Sequence, residues 1–115
     1  MRMLNKIATA VILFLGIGHI VATPSYLPGF NPAAMWFAGS GLALLLAGIL
    51  NLGRPSMAAV PRLRILCVAA NMLVLGWIGA VAIVVPCWQA LTAGAALLVV
   101  TALSIASVRP WARQA

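Results

Sequence analysis

Four stretches of the chain, 7–23, 33–52, 65–85 and 87–108, contain no charged side chain. Each is close to the roughly 20 residues that a helix needs to cross about 30 Å of hydrocarbon. The last two meet at Pro86. A continuous helix over 65–108 would be about 66 Å long, twice that thickness, so a tight turn is expected at this proline. The other breaks are plainer. "TPSYLPGFNP" separates the first two stretches with three prolines and a glycine, and "GRPSMAAVPR" separates the second from the third. Asn31-Pro32 makes a good helix start, with the amide as cap and proline in the first turn.

Composition decides what such stretches are for. Of 115 residues, 65% are hydrophobic and 6% are charged, against about 25% charged in a soluble domain. A small soluble chain keeps too much of its surface in contact with water to hide this much apolar area. Lipid is the solvent that suits it. The expected fold is all-α: one integral-membrane domain over 1–115, an antiparallel four-helix bundle.

The charges orient it. There are seven Lys and Arg and no Asp or Glu. They fall at Arg2 and Lys6, at Arg54, Arg62 and Arg64, and at Arg109 and Arg113, always flanking an apolar stretch. The connections at 24–32 and at Pro86 carry none. Basic loops face the cytoplasm, so both ends are expected inside, in a multi-pass protein of the bacterial inner membrane. A charge distributed in this way reads as a topology signal, and no nucleic-acid partner is expected. Tyr26, Phe30, Trp36 and Trp88 fall at the outer boundary and Trp111 at the inner one, where aromatic residues anchor helices. The start "MRMLNKIATAVILFLGIGHIVA" also resembles a secretion signal. It lacks a clean A-x-A site, and Ile20 stands where a small residue is preferred. Cleavage would leave three spans and remove His19, so the expectation is a retained first span.

Helices in lipid associate through small residues and a few hydrogen bonds. Thr9, Ile12, Gly16, His19 and Thr23 share one face of the first helix by their spacing of three and four. Gly39, Ala43 and Ala47 make such a line on the second. Ala69, Gly76 and Ala80 do so on the third, and Ala90, Gly94, Thr101 and Ser104 on the fourth. Packing accounts for most such lines.

His19 is the one histidine of the chain, and an ionisable group within a span is a functional candidate by default. It is either a ligand or proton contact or a hydrogen-bonded tie between helices. Asn71 must also find a partner in hydrocarbon, as an inter-helix tie or on a ligand path. Asn51 reads as a cap at the inner end of its helix. By depth alone, His19, Tyr26, Asn31, Trp36, Cys87, Trp88 and Gln89 fall in the outer third. An uncharged aromatic mouth with one imidazole suits a hydrophobic or amphipathic small molecule, such as a quinone or a lipid head region. The ligand-binding candidates are therefore His19, Asn71, Trp36, Trp88, Gln89 and Tyr26.

Several classes are excluded or left without support. A lone histidine without carboxylates is a poor metal site, and no metal site is expected. No Ser-His-Asp set exists without acids, no nucleotide motif is present, and no catalytic residue is assigned. The lack of a carboxylate within the spans argues against a proton-coupled cation exporter. Cys67 and Cys87 lie about 30 Å apart along one helix, too far for a disulfide. Cys87 is left as a packed thiol or a bridge to another chain. No cofactor is named by these residues.

"ILFLGIGHIVATP" followed by "NPAAMWFAGSGLALLLAGILNLGR" resembles small bacterial four-helix inner-membrane proteins of the DoxX-like group. The likeness covers the first two helices, with Gly16 and His19 at its centre, and it lacks the charged residues that many of that group show near their helices. It implies a membrane-embedded accessory role, sometimes in redox complexes. The expected function is thus a binding or accessory protein for a hydrophobic or lipid-like molecule or for a membrane complex. The alternatives are a structural subunit that forms homo-oligomers, and a redox-complex subunit with haem or thiol chemistry.

Overall fold

A computed structural model describes residues 2–29 and 31–112. Phe30 and Arg113, and the side chains of Arg109 and Trp111, lie outside the described residues. The chain forms α1 (Arg2–Tyr26), α2 (Pro32–Gly53), a 3-10 turn over Arg54–Ala59, α3 (Pro61–Val84) and α4 (Trp88–Ala112). No strand occurs among the described residues. Each of the four α-helices is long and apolar enough to cross a membrane.

The punctuation acts through its chemistry. Asn31 is extended, and its side-chain oxygen accepts the Ala34 N–H at 2.9 Å, with Pro32 in the first turn of α2. Gly29 takes the positive φ of 88° in the turn before it, a conformation that costs glycine little. Val85 is driven out of helical geometry, to φ −129° and ψ 79°, because the ring of Pro86 disfavours helix in the residue before it. Cys87 O then accepts the Leu91 N–H at 3.1 Å as α4 begins. Pro24 does not end α1 as its position suggests. The helix continues to Tyr26, since a proline so near the terminus removes a single bond, and Leu27 N–H still reaches Thr23 O at 2.9 Å. The helices also extend beyond the charge-free stretches, α1 starting at Arg2 and α3 at Pro61. Arg and Lys are good helix formers whose stems lie along apolar surface.

The neighbours run antiparallel. Gly16 meets Gly41 and Leu45, while Leu13, nearer the start, meets Gly48, further along. Asn71 bonds Ser104, while Arg64, nearer the start of α3, bonds Ser107, further along α4. One end of the bundle therefore gathers the start of α1, the 3-10 turn, the start of α3 and the end of α4, with Arg2, Lys6, Arg54, Arg62 and Arg64. The other end carries Tyr26, Trp88 and Gln89 and no charge. These are called the basic and the neutral end below. The long dimension is 52 Å, ample for the hydrocarbon layer.

The core is built mostly by three helices. Ile12, Leu44, Leu97 and Val100 are fully buried, with Ala8, Ala47 and Ala93 letting the backbones close in. From α3 only Cys67, Asn71 and Ile78 are buried. Outside, Phe14 is 73% exposed, Leu73 76% and Ile83 84%. An exterior this apolar suits helices of membrane-spanning length and composition.

The small-residue lines are partly corrected. On α1, Thr9, Ile12, Gly16 and Thr23 are buried together, as expected. On α4, Ala90, Thr101 and Ser104 are buried too. On α2 the contact face is Gly41, Leu44 and Gly48, and Gly39 is exposed with nothing beside it. On α3, Ala69, Gly76 and Ala80 all face outward. The core chooses between faces by backbone contact: a Cβ on Gly16 would meet Leu45 N at 2.8 Å and Gly41 O at 2.9 Å. Asn51 is corrected as well. It is no cap but a fully buried side chain, and Arg54 caps α2.

Candidate ligand-binding site

His19 sits where α1 and α2 touch. Gly41 gives it room, since a Cβ there would meet the His19 Cβ at 2.7 Å and Gly16 O at 2.8 Å. Its ring stacks on Phe37 of α2, centroids 4.5 Å apart and planes at 26°. Nδ1 lies 2.9 Å from Leu15 O. A carbonyl only accepts, so Nδ1 carries the hydrogen. In the neutral ring Nε2 then holds a lone pair, and no partner for it exists among the described residues. One turn on, the Thr23 hydroxyl donates to His19 O at 2.6 Å. The imidazole is thus held by its own helix and by an aromatic face. It is not tied to another helix by a hydrogen bond.

Two adjoining hollows meet at this ring. One, of about 280 Å³, is lined by Phe14, His19, Tyr26, Phe37, Trp88 and Gln89 among others. The other, of about 150 Å³, lies deeper between the helices, against Ser40, Leu44, Ile78 and Ala93. His19, Phe37, Cys87 and Gln89 line both. The Gln89 amide has no hydrogen-bond partner among the described residues. Tyr26 and Trp88 stand at the rim, 77% and 64% exposed. Cys87 is a free thiol beside them. No group of three metal-binding side chains exists among the described residues.

Four of the six candidates therefore come together: His19, Tyr26, Trp88 and Gln89. Two do not. Trp36 stacks on Trp77 of α3, with centroids 5.6 Å apart, while Trp77 Nε1 donates to Ser40 Oγ at 3.3 Å. Asn71 lies toward the basic end. Its amide donates to Asn51 Oδ1 at 3.0 Å and to Ser104 Oγ at 3.2 Å, and Asn51 Nδ2 returns a bond to Asn71 Oδ1 at 2.6 Å. The second Asn51 hydrogen goes to Ala47 O at 2.8 Å. Both amides are satisfied, and they join α2, α3 and α4.

Phe37 was missed by the sequence reading. Its place beside His19 follows only from the contact of Gly16 with Gly41, which brings this stretch of α2 against the ring. The partnership of Asn51 and Asn71 was missed too, although they are equidistant in sequence from Pro61. Set beside known proteins, the chain matches no family model, no curated protein and no solved structure, so the reading of this site rests on its own residues.

Proposed function

We propose that the chain is a membrane-embedded binding protein that holds a small amphipathic ring compound at its neutral end. The observation that carries this is the state of His19 and Gln89. Both line the same two hollows, and each keeps polar atoms that no protein group satisfies. Both residues are half-buried and line the hollows, so a molecule that enters can reach these atoms. Here Nε2 offers an acceptor and the Gln89 amide a donor, and Phe37 lines the same space. That set suits a flat ring bearing a hydroxyl and a carbonyl, as in a quinol or quinone, with the tail left in lipid. The combined space is at the small end for ligand pockets and fits a head ring without its tail.

The charge asymmetry supports the orientation. With the basic end in the cytoplasm of a bacterial inner-membrane protein, the hollows open toward the outer leaflet. The DoxX-like layout fits an accessory role of this kind.

The test is native mass spectrometry of protein released in mild detergent and mixed with a short-chain benzoquinol. Wild type is expected to hold one molecule per chain, His19→Ala to lose it, and Trp36→Phe to keep it. If wild type and His19→Ala are both empty and the variant merely unfolds sooner, the imidazole is a packing element and this reading fails.

One observation favours a second reading, self-association. Gly76 and Gly79 of α3 and Gly39 of α2 face outward with nothing within 4 Å, and outward small residues let a second copy approach closely. Crosslinking in lipid would detect it, and Gly76→Leu would abolish it.

A further inference from the structure

The basic end holds a hollow of about 640 Å³. Arg2, Lys6 and Thr9 reach it from one face of α1, and Arg54 reaches it from the turn after α2. Leu52 and Leu103 supply apolar wall. The chain has no Asp or Glu, so no side-chain carboxylate can neutralise these cations.

Arg54 is held firmly. It donates to Val100 O at 3.1 Å, to Ser104 Oγ at 2.7 Å and to Asn5 Oδ1. These bonds fix the guanidinium between α1 and α4 but do not use all its donors. All its partners are neutral, so its charge is positioned and uncompensated. Arg2 and Lys6 make no hydrogen bond or ion pair among the described residues.

Thr9 adds an independent sign. Thr23, Thr92, Thr101 and Ser104 each donate to the carbonyl one turn back on their own helix, at 2.6–2.7 Å. That is the usual refuge of a hydroxyl in an apolar helix. Thr9 does not take it. Its residue is 2% exposed, and its Oγ1 is the one buried side-chain polar atom without a partner among the described residues. Thr9 is among the residues that line the same hollow as the three cations, with its hydroxyl covered at the wall, one side-chain rotation from the opening.

We infer that this hollow is a binding site for a phosphate group, with Arg54 as the fixed cation, Arg2 and Lys6 closing over it, and the Thr9 hydroxyl donating to a phosphate oxygen. Guanidinium and ammonium groups beside an unpaired hydroxyl match a tetrahedral anion. Two sources share that chemistry: the headgroup of an anionic phospholipid, whose chains would follow the apolar wall at Leu52 and Leu103, and free phosphate. The site lies at the opposite end from His19 and does not depend on the proposed quinol site.

The experiment is native mass spectrometry of the full chain in mild detergent. It is titrated with phosphatidylglycerol, with phosphatidylcholine of the same chains, and with inorganic phosphate. Wild type is expected to hold one phosphatidylglycerol in preference to phosphatidylcholine. Arg2→Gln combined with Lys6→Gln, which breaks no bond of the fold, is expected to weaken it about thirtyfold. Thr9→Val, which keeps the shape, is expected to weaken it about fivefold while leaving the lipid-free protein equally stable or more so. His19→Ala should leave it unchanged. Saturable binding of inorganic phosphate that these same variants weaken, without preference between the lipids, would support free phosphate as the source. Equal lipid occupancy in wild type and both basic-end variants, with no response to phosphate, overturns the site.

Discussion

At the basic end, Asn51, Asn71 and Ser104 satisfy one another, and at the neutral end His19 and Gln89 are left with polar atoms that nothing in the chain meets. The first set is fully buried, where an unpaired polar group is costly, and the second is only half-buried. The Ser104 hydroxyl shows how complete the first arrangement is: it donates to Val100 O at 2.7 Å and accepts from Arg54 and Asn71. The basic end is thus a lock across three helices, with Thr9 the exception that points to a ligand. The neutral end has aromatic stacking in place of a network. His19 rests on Phe37 and Trp36 on Trp77, and stacking fixes a plane without using up donors or acceptors. The contrast separates polar residues whose donors and acceptors are used up in holding the bundle from those that keep some to spare, and only the second kind can meet a ligand.

The largest effect tests the seat of His19. Gly41→Ala puts a Cβ against backbone and against the His19 Cβ, both under 3 Å. It is expected to cost about 3 kcal/mol, at the upper end for overpacking, and to abolish quinol binding by moving the ring. Gly39→Ala, two residues away with nothing within 4 Å, should change stability by less than about 1 kcal/mol, with helix propensity in its favour. Unfolding in detergent measures both. Equal effects would mean that α1 and α2 do not meet at Gly16 and Gly41.

The next tests the lock. Asn71→Leu leaves the buried Asn51 amide short of a partner and is expected to cost about 2 kcal/mol. Asn51→Leu alone should do the same. The double variant should recover much of the loss, because two leucines leave no orphan. Quinol binding at the other end should survive in all three. Additive losses would show that the two amides act separately.

Much of this was legible in the sequence, and the limits have a common cause. The four helices, the cap at Asn31, the turn at Pro86 and the gathering of charge at one end follow from local chemistry and bilayer thickness. The α1 face with Gly16 and His19 was legible because its spacing left one small-and-polar face. Helix 2 was different. Gly39 and Gly41 lie on nearly opposite sides of one helix, and small residues occur on both, so spacing alone could not choose. The choice is made by the partner backbone, which no single helix records. Asn51 read as a cap because it lies near a helix end. It became core because α3 brings a second amide to the same depth. The outer constellation was read by depth, which is one coordinate of three. The structure sets His19, Tyr26, Trp88 and Gln89 around one hollow, while Trp36 stacks on α3 instead.

His19→Gln sharpens the comparison at lower energy. The ring makes a bond only within its own helix, so its loss should cost no more than about 1 kcal/mol of stability. Binding of the benzoquinol should fall far more than stability does, because the stacked ring and its Nε2 are lost together. A variant that loses stability and binding in proportion would move His19 to the side of the lock.

The smallest effect concerns α3, which is held differently along its length. Toward the basic end it has the buried Asn71 pair and the bond from Arg64 to Ser107 O at 3.0 Å. Toward the neutral end it has Ile78, the exposed bond from Trp77 to Ser40 and the Trp36 stack, and beyond these Ile83 and Val84 are 84% and 79% exposed. Trp77→Phe keeps an aromatic face and removes the bond, so it should cost only about 0.6 kcal/mol, the usual worth of such a bond between membrane helices. Local opening follows local contact. Hydrogen exchange in lipid should therefore be faster in the last turns of α3, after Ile78, than in the turns around Asn71, and Trp77→Phe should speed the former without touching the latter. Such a gradient would let a ligand reach the deeper hollow beside Ile78 by loosening one helix while the lock at the other end stays closed. Uniform exchange along α3 would remove both the gradient and that route.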